Sequence, residues 1–240
     1  MNKSRKFLSI SFALVMFLVL QSGFQGATAS EALLERPYVY SKGDVLVLSN
    51  SRTYTLISQK GDFEVWEDNR GRPNIYSTNP LLPRIGWRYL KKDKYVNRYF
   101  ELDEGEVWKL WPISAGSSAE IKIKFYKEEV TDYKGDPRGV SHQINCSVQG
   151  TEMLTHPIIG KIDTVVVSCE QWYKGSGKFY VQHTRVVYID GNTGMKLREV
   201  KTWPDDYTTD VWSLAVLGRA DSTRSNIQTV LSKYAAAQSN

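Results

Sequence analysis

Apolar and polar positions alternate with a period of two along much of the chain. Ile121, Ile123 and Phe125 interleave with Lys122, Lys124 and Tyr126, and Ile144, Cys146 and Val148 with Asn145, Ser147 and Gln149. Successive side chains of an extended strand point to opposite faces, so this spacing predicts strands with one core face and one polar face. Val165-Val166-Val167 is apolar on both faces and predicts a central strand. Phe179 to Ile189 and Met195 to Trp203 flank Asp190-Gly191-Asn192-Thr193-Gly194, a hairpin turn in which Gly and Asn accept positive φ at little cost.

Earlier in the chain the runs are shorter. Val45 to Leu48, Thr53 to Ile57, Phe63 to Trp66 and Ile75-Tyr76 are separated by Ser-Asn-Ser, Lys-Gly-Asp and Asn-Arg-Gly-Arg-Pro. Such punctuation predicts a small antiparallel sheet, here a β-barrel-like module of SH3-like size. Residues 77–118 contain Asn79-Pro80, Leu82-Pro83 and Trp111-Pro112 and read as connection, because Pro lacks a donor and restrains the residue before it. Past Asp221-Ser222, a candidate N-cap, Ile227, Val230, Leu231, Tyr234 and Ala235 form one apolar stripe at helical spacing. A short helix over 222–238, packed on the sheet, is expected.

The fold class is therefore mainly β: an antiparallel meander or curved sheet, with the small N-terminal module and a short C-terminal helix. Tight turns join the strands, and parallel crossovers would need helices between them. The expected segments are a leader over 1–29, the module and its connection over 30–100, the antiparallel sheet over 101–210 and a helical tail over 211–240.

The leader is read from Met1 to Ala29. Lys3, Arg5 and Lys6 precede a 14-residue weakly polar to apolar run, Phe7 to Leu20, and the segment ends on Ala27-Thr28-Ala29. A basic start, an apolar middle and a small-x-small end make a secretory signal, with cleavage expected after Ala29. The run is short for a membrane span, which needs about 20 apolar residues. No Cys follows it to carry a lipid. The expected destination is periplasmic or secreted, without a transmembrane span after cleavage.

Cleavage alters the charge balance. The whole chain carries 31 Lys+Arg against 26 Asp+Glu, a formal +5, and loss of the three leader cations leaves 28 against 26, or +2. A nucleic-acid reading, which wants a concentrated basic face, loses its compositional support. Cys146 and Cys169, 23 positions apart, are the chain's two cysteines. In an oxidising compartment such a pair predicts a structural disulfide. Zinc-site spacing is missing, so no metal or cofactor is expected.

Searches for catalytic patterns return little. Gly175-Ser176-Gly177-Lys178 lacks the upstream Gly and the following Ser or Thr of a phosphate loop, and reads as a turn. Asp205-Asp206 lie next to each other, and adjacent residues of an extended chain face opposite ways, so they read as solvated. The one excess is aromatic. All 7 Trp and 14 Tyr lie beyond the leader, about a tenth of the mature chain. Such rings suit both sheet cores and binding faces. Trp108 and Trp111, and Trp203 and Trp212 around an acidic, Tyr-containing loop, are the positions at which a binding face is expected.

The run Trp108 to Gly116 (WKLWPISAG) and the later Cys146-x-Val148-x-Gly150-Thr151-Glu152 … Pro157 … Gly160-x-x-Asp163-Thr164-Val165-Val166-Val167-x-Cys169 resemble segments of uncharacterised exported β-rich proteins of proteobacteria, of the DUF3108-like kind. The resemblance spans roughly 105–200. It implies an envelope location and a curved antiparallel sheet, and it brings no catalytic residues with it. The resulting expectation is a non-enzymatic envelope protein that binds a glycan, a lipid or another envelope protein. Two alternatives stand beside it. One is a hydrolase whose site gathers Asp205, Asp206 and one of His142, His156 or His183. The other is an accessory subunit that grips an assembly through its C-terminal helix.

Overall fold

The computed structural model describes residues 32–91, 94–102, 106–129 and 139–239, and the leader expected over 1–29 lies outside them. The strands, in chain order, are β1 (Ala32–Leu34), β2 (Val45–Leu48), β3 (Thr53–Lys60), β4 (Phe63–Asp68), β5 (Pro73–Ser77), β6 (Gly86–Lys91) and β7 (Lys94–Leu102). They continue as β8 (Ile113–Ser114), β9 (Ser118–Glu129), β10 (Val140–His156), β11 (Gly160–Gly175), β12 (Lys178–Asp190), β13 (Lys196–Thr202) and β14 (Thr208–Leu217), and helix α1 (Arg224–Gln238) follows.

Twelve strands close one barrel in the order β10-β11-β12-β13-β14-β2-β3-β4-β5-β6-β7-β9, while β1 and β8 pair apart from it. The expectation of a mainly β chain of antiparallel, sequentially joined strands is met, with one C-terminal helix. The fold differs in its closure. Residues 30–100 do not close on themselves as a small barrel-like module: β2 pairs with β14 and β7 with β9, so both stretches contribute to one barrel. Closure removes the free edges that a curved open sheet would expose. The stretch 77–118 is also less irregular than its prolines imply, since β6 and β7 lie within it as a paired hairpin.

Opposed residues of antiparallel strands share a face. Cys146 faces Cys169, Val148 faces Val167, and Val167 faces Val187. These positions join Ile121, Ile123, Ile144 and Ile189 in the main apolar core. Connecting residues complete that core, with Leu81, Leu82, Ile85, Val107 and Ile113 packed into it. Asn79 ties the two connections together: its amide donates to Val107 O at 2.5 Å, and its Oδ1 accepts from Leu81 N at 3.0 Å and from Trp111 Nε1 at 2.9 Å. The expected disulfide forms between Cys146 and Cys169, both buried.

The long β10–β11 hairpin reaches β14, where His156 Nε2 lies 3.0 Å from Ser213 O and the imidazole meets the Trp212 ring edge-on at 5.5 Å. The Asp190–Gly194 turn forms as expected, with Asp190 accepting from Asn192 N and Thr193 Oγ1. Gly194 has φ of +74°, and a Cβ there would sit 2.5 Å from Arg36 O, so both backbone angle and space call for glycine. Helix α1 is capped by Thr223, not by Asp221-Ser222. No residue of α1 is buried. Its stripe of Ile227, Val230, Leu231 and Tyr234 is half-buried against β14 and β2, with Ala235 exposed. The expected packing is thus a light one, because the strands already close on each other and need no helical cover.

Candidate functional site

The barrel interior is not uniformly apolar. Along β12 the inward parity reads His183, Arg185, Val187, Ile189, which sets an imidazole and a guanidinium in line with the core. On β13 Lys201 stands opposite Arg185, and Glu199 opposite Val187. Of these side chains, Arg185, Glu199 and Lys201 border a cavity of about 360 Å³. A second wall comes from β2–β5, where Leu46 opposes Tyr54, Leu56 opposes Trp66, and Glu64 opposes Tyr76. Arg84, from the segment packed into the core, and Tyr40, ahead of β2, complete it. Exposed Asn50 and Arg52 in the β2–β3 turn also border the cavity, which opens there to solvent.

The aromatic wall is ordered by ring contacts. Tyr38 meets Tyr40 at 4.8 Å and Tyr40 meets Trp66 at 4.9 Å, both edge-to-face, and Tyr54 meets Tyr76 at 6.1 Å. These are preferred aromatic geometries. The Trp66 indole N–H donates to Glu64 Oε2 at 2.8 Å. Burial pushes the Glu64 carboxyl above its ordinary range, with the indole bond opposing, and burial likewise raises the Tyr40 and Tyr76 phenols.

The ionic wall is unevenly matched. Arg185 is 2% exposed; its Nη2 donates to Leu81 O at 2.7 Å and its Nη1 lies 3.9 Å from Glu199 Oε2. Its Nε has no hydrogen-bond partner among the described residues. Glu199 also takes Lys196 Nζ at 3.0 Å. Burial acts to raise the Glu199 carboxyl, but Lys196 and Arg185 outweigh it and hold the group at about 2. Lys201 is pushed down to about 8, by burial first and then by Arg185. Its ammonium lies 4.7 Å from the Trp203 ring centroid, and Arg84 lies 4.4 Å over Trp87 while donating to Asn74 Oδ1 at 2.8 Å.

Beside this wall His183 is buried, and among the described residues neither ring nitrogen has a hydrogen-bond partner. Burial, then Lys201 and Arg185, depress it to about 3, and burial alone takes His142 to about 4. Chemically the arrangement offers an apolar wall of edge-to-face rings and a surplus of positive charge. Glu199 is committed to cations of the wall and Glu64 to the Trp66 indole.

The tryptophans singled out from sequence lie elsewhere. Trp108 and Trp111 pack on the main core, Trp111 through its bond to Asn79. Trp212 stacks under Arg198 at 4.7 Å on the face that meets His156. Trp203 touches the ionic wall through Lys201 and lies 5.2 Å from Tyr207. None of the four lines the cavity. Asp205 and Asp206 are exposed in the β13–β14 turn, whereas His142, His156 and His183 are buried, His183 with its ring 6.1 Å from that of Trp203. Gly175 to Lys178 form the β11–β12 turn.

Sequence reasoning missed Arg185, Glu199, Lys201, Tyr40 and Trp66. One signal for Arg185 was present: a guanidinium on the apolar parity of a strand that otherwise reads Val187 and Ile189.

No family model matches the chain, and no curated protein matches it at the level that marks a relative. Among solved structures, the hypothetical lipoprotein YmcC of Escherichia coli superposes with a TM-score of 0.48 at 12% identity, over 88% of this chain and 100% of that one. A Bacteroides fragilis protein, named for its expected export and YmcC-like fold, superposes with a TM-score of 0.40 at 7% identity, over 76% of this chain and 99% of that one. The DUF3108-like resemblance finds no family match behind it.

Proposed function

We propose that this chain is an exported, non-enzymatic binding protein of the cell envelope, and that it holds a small ligand, such as the end of a glycan or a lipid head group, in its barrel cavity. The observation that carries this reading is a cavity of about 360 Å³ with an aromatic wall and an ionic wall, open at the β2–β3 turn. That volume lies in the range of small-molecule sites, which are concave and mostly apolar with a few convergent polar groups. A partner protein is less well suited to an interior space of this size. Export is supported by the basic, apolar and small-residue order of residues 1–29 and by the Cys146–Cys169 bridge, since such bonds persist in oxidising compartments.

The test is recovery of the protein from its own envelope fraction under native mass spectrometry. A bound mass is expected with the natural chain and should be lost in Leu48→Trp, which fills the cavity from β2. An identical spectrum for both proteins, with nothing bound, would defeat the reading. Purified natural protein that begins at Met1 with two free thiols would defeat export. The accessory-subunit alternative retains one favourable observation, the helix α1 with no buried residue. Deletion of residues 219–240 followed by pull-down decides it, through loss or retention of a partner.

A further inference from the structure

We infer that the cavity's ligand bears an anionic oxyacid group, a carboxylate or a phosphate, seated among Arg84, Arg185, Lys196 and Lys201, with its apolar or ring portion against Tyr40, Trp66 and Tyr76. This deepens the proposed binding function and rests on it.

Charge is unbalanced along the walls. Five cations border the cavity: Arg52 at its mouth, and Arg84, Arg185, Lys196 and Lys201 within. Two carboxylates face them, Glu64 and Glu199. Glu199 is spent on Lys196 and Arg185. Glu64 is occupied by the Trp66 indole, and its burial favours the neutral acid. Among the described residues, neither Arg84 nor Lys201 has a carboxylate within ion-pair distance, and each is satisfied only by a neutral amide or a ring face.

Cations enclosed without counter-charge are costly, because desolvation is uncompensated. The depressed ammonium of Lys201 is the local sign of that cost. The unpartnered Nε of Arg185 leaves a guanidinium donor unused at the same wall. An oxyanion answers both features. It accepts charge-assisted hydrogen bonds from guanidinium and ammonium donors, which are stronger than neutral ones. Across the cavity, edge-to-face rings give an apolar surface against which the rest of the ligand packs.

The experiment titrates the purified exported protein with three probes: phenyl phosphate, inorganic phosphate and the neutral phenyl β-glucoside. Binding is read by calorimetry and by the indole N–H resonance of Trp66, which reports the cavity itself. Phenyl phosphate is expected to bind at least about tenfold tighter than the glucoside, and more tightly than inorganic phosphate. Arg84→Gln and Lys201→Gln should each weaken it about tenfold, the loss of one hydrogen bond to a charged group. Lys201→Arg should restore most of that loss, and circular dichroism should show all variants folded. Competition of phenyl phosphate by phosphatidylglycerol vesicles identifies a lipid head group as the source of the anion, and competition only by soluble envelope extract identifies a free one. Equal affinity for the glucoside, or binding indifferent to both substitutions, overturns the anionic assignment and leaves the cavity as a site for neutral ligands. Silence of the Trp66 resonance with every probe overturns the assignment together with the reading on which it rests.

Discussion

Arg185 and Glu199 approach to 3.9 Å across neighbouring strands, two residues out of direct register, and the same guanidinium holds Leu81 O of the segment packed into the core. One buried side chain thus connects the barrel wall, the inner connection and the ionic wall of the cavity. Removal of one partner from such a pair is strongly destabilising. Arg185→Ala is expected to lower unfolding stability by about 3 kcal/mol, read as a reduced urea midpoint. Glu199→Gln should also lower the midpoint, since it leaves the buried Arg185 charge without its counter-ion and removes the partner of Lys196.

Asn79 is the second organising polar group. It satisfies Val107 O, Leu81 N and the Trp111 indole at once, while itself 1% exposed. Asn79→Ala leaves three buried groups without partners, and the expected cost is about 2–4 kcal/mol. Hydrogen exchange of the Trp111 indole should accelerate in the variant beyond that of indoles away from this segment.

The disulfide closes a loop of 23 positions between two buried cysteines. Cys146→Ala with Cys169→Ala is expected to cost about 3 kcal/mol in the chain-entropy account. The measurement is thermal unfolding of the double variant against the oxidised protein. An unchanged melting temperature would contradict a structural role for the bond.

Acid should destabilise the protein well above the usual carboxylate range. Burial holds the His183 imidazole down to about 3 and that of His142 to about 4 in the folded chain, against about 6.5 for an unburied imidazole. The unfolded chain therefore binds more protons between these values, so stability is complete above about pH 6.5 and is lost as pH falls from there. Lys201 and Arg185 face His183 with like charge, and Glu199 opposes them. Glu199, held at about 2, adds a further loss below about pH 4.5 in the same direction. Urea midpoints between pH 7 and pH 4 should decline steadily in the natural protein and more gently in His183→Gln.

The tail should be separable from the barrel. No residue of α1 is buried, so deletion of residues 222–240 is expected to change unfolding stability by no more than about 1 kcal/mol. A larger loss by the same urea assay would mean that the half-buried Ile227, Val230, Leu231 and Tyr234 carry more of the fold than their exposure indicates.

Local features of the chain were legible where one residue's environment decides its pattern. The alternation at Ile121 to Phe125 and Ile144 to Val148, the Asp190–Gly194 turn and the bridge between Cys146 and Cys169 all read directly. Closure did not, because pairing of β2 with β14 depends on register between segments more than 150 positions apart, which no local window contains. The hairpin β6–β7 was hidden by Arg and Lys interleaved among Trp87, Tyr89 and Val96, which blur the apolar parity. The cavity escaped for a related reason. Its walls come from β2–β5, β12 and β13, and an aromatic residue such as Trp66 reads the same in a strand whether it faces a packed core or a ligand space.

The seam of the barrel runs between residues 163 positions apart, where Ser49 Oγ accepts the backbone N–H of Trp212 at 2.9 Å. Synthesis proceeds from the N-terminus, so β2 exists as a bare edge through most of the chain's assembly, and its mate is among the last segments to arrive. An unmatched strand of Val-Leu-Val-Leu is a template for joining foreign chains. That edge accordingly stays open to misassembly until β14 docks on it.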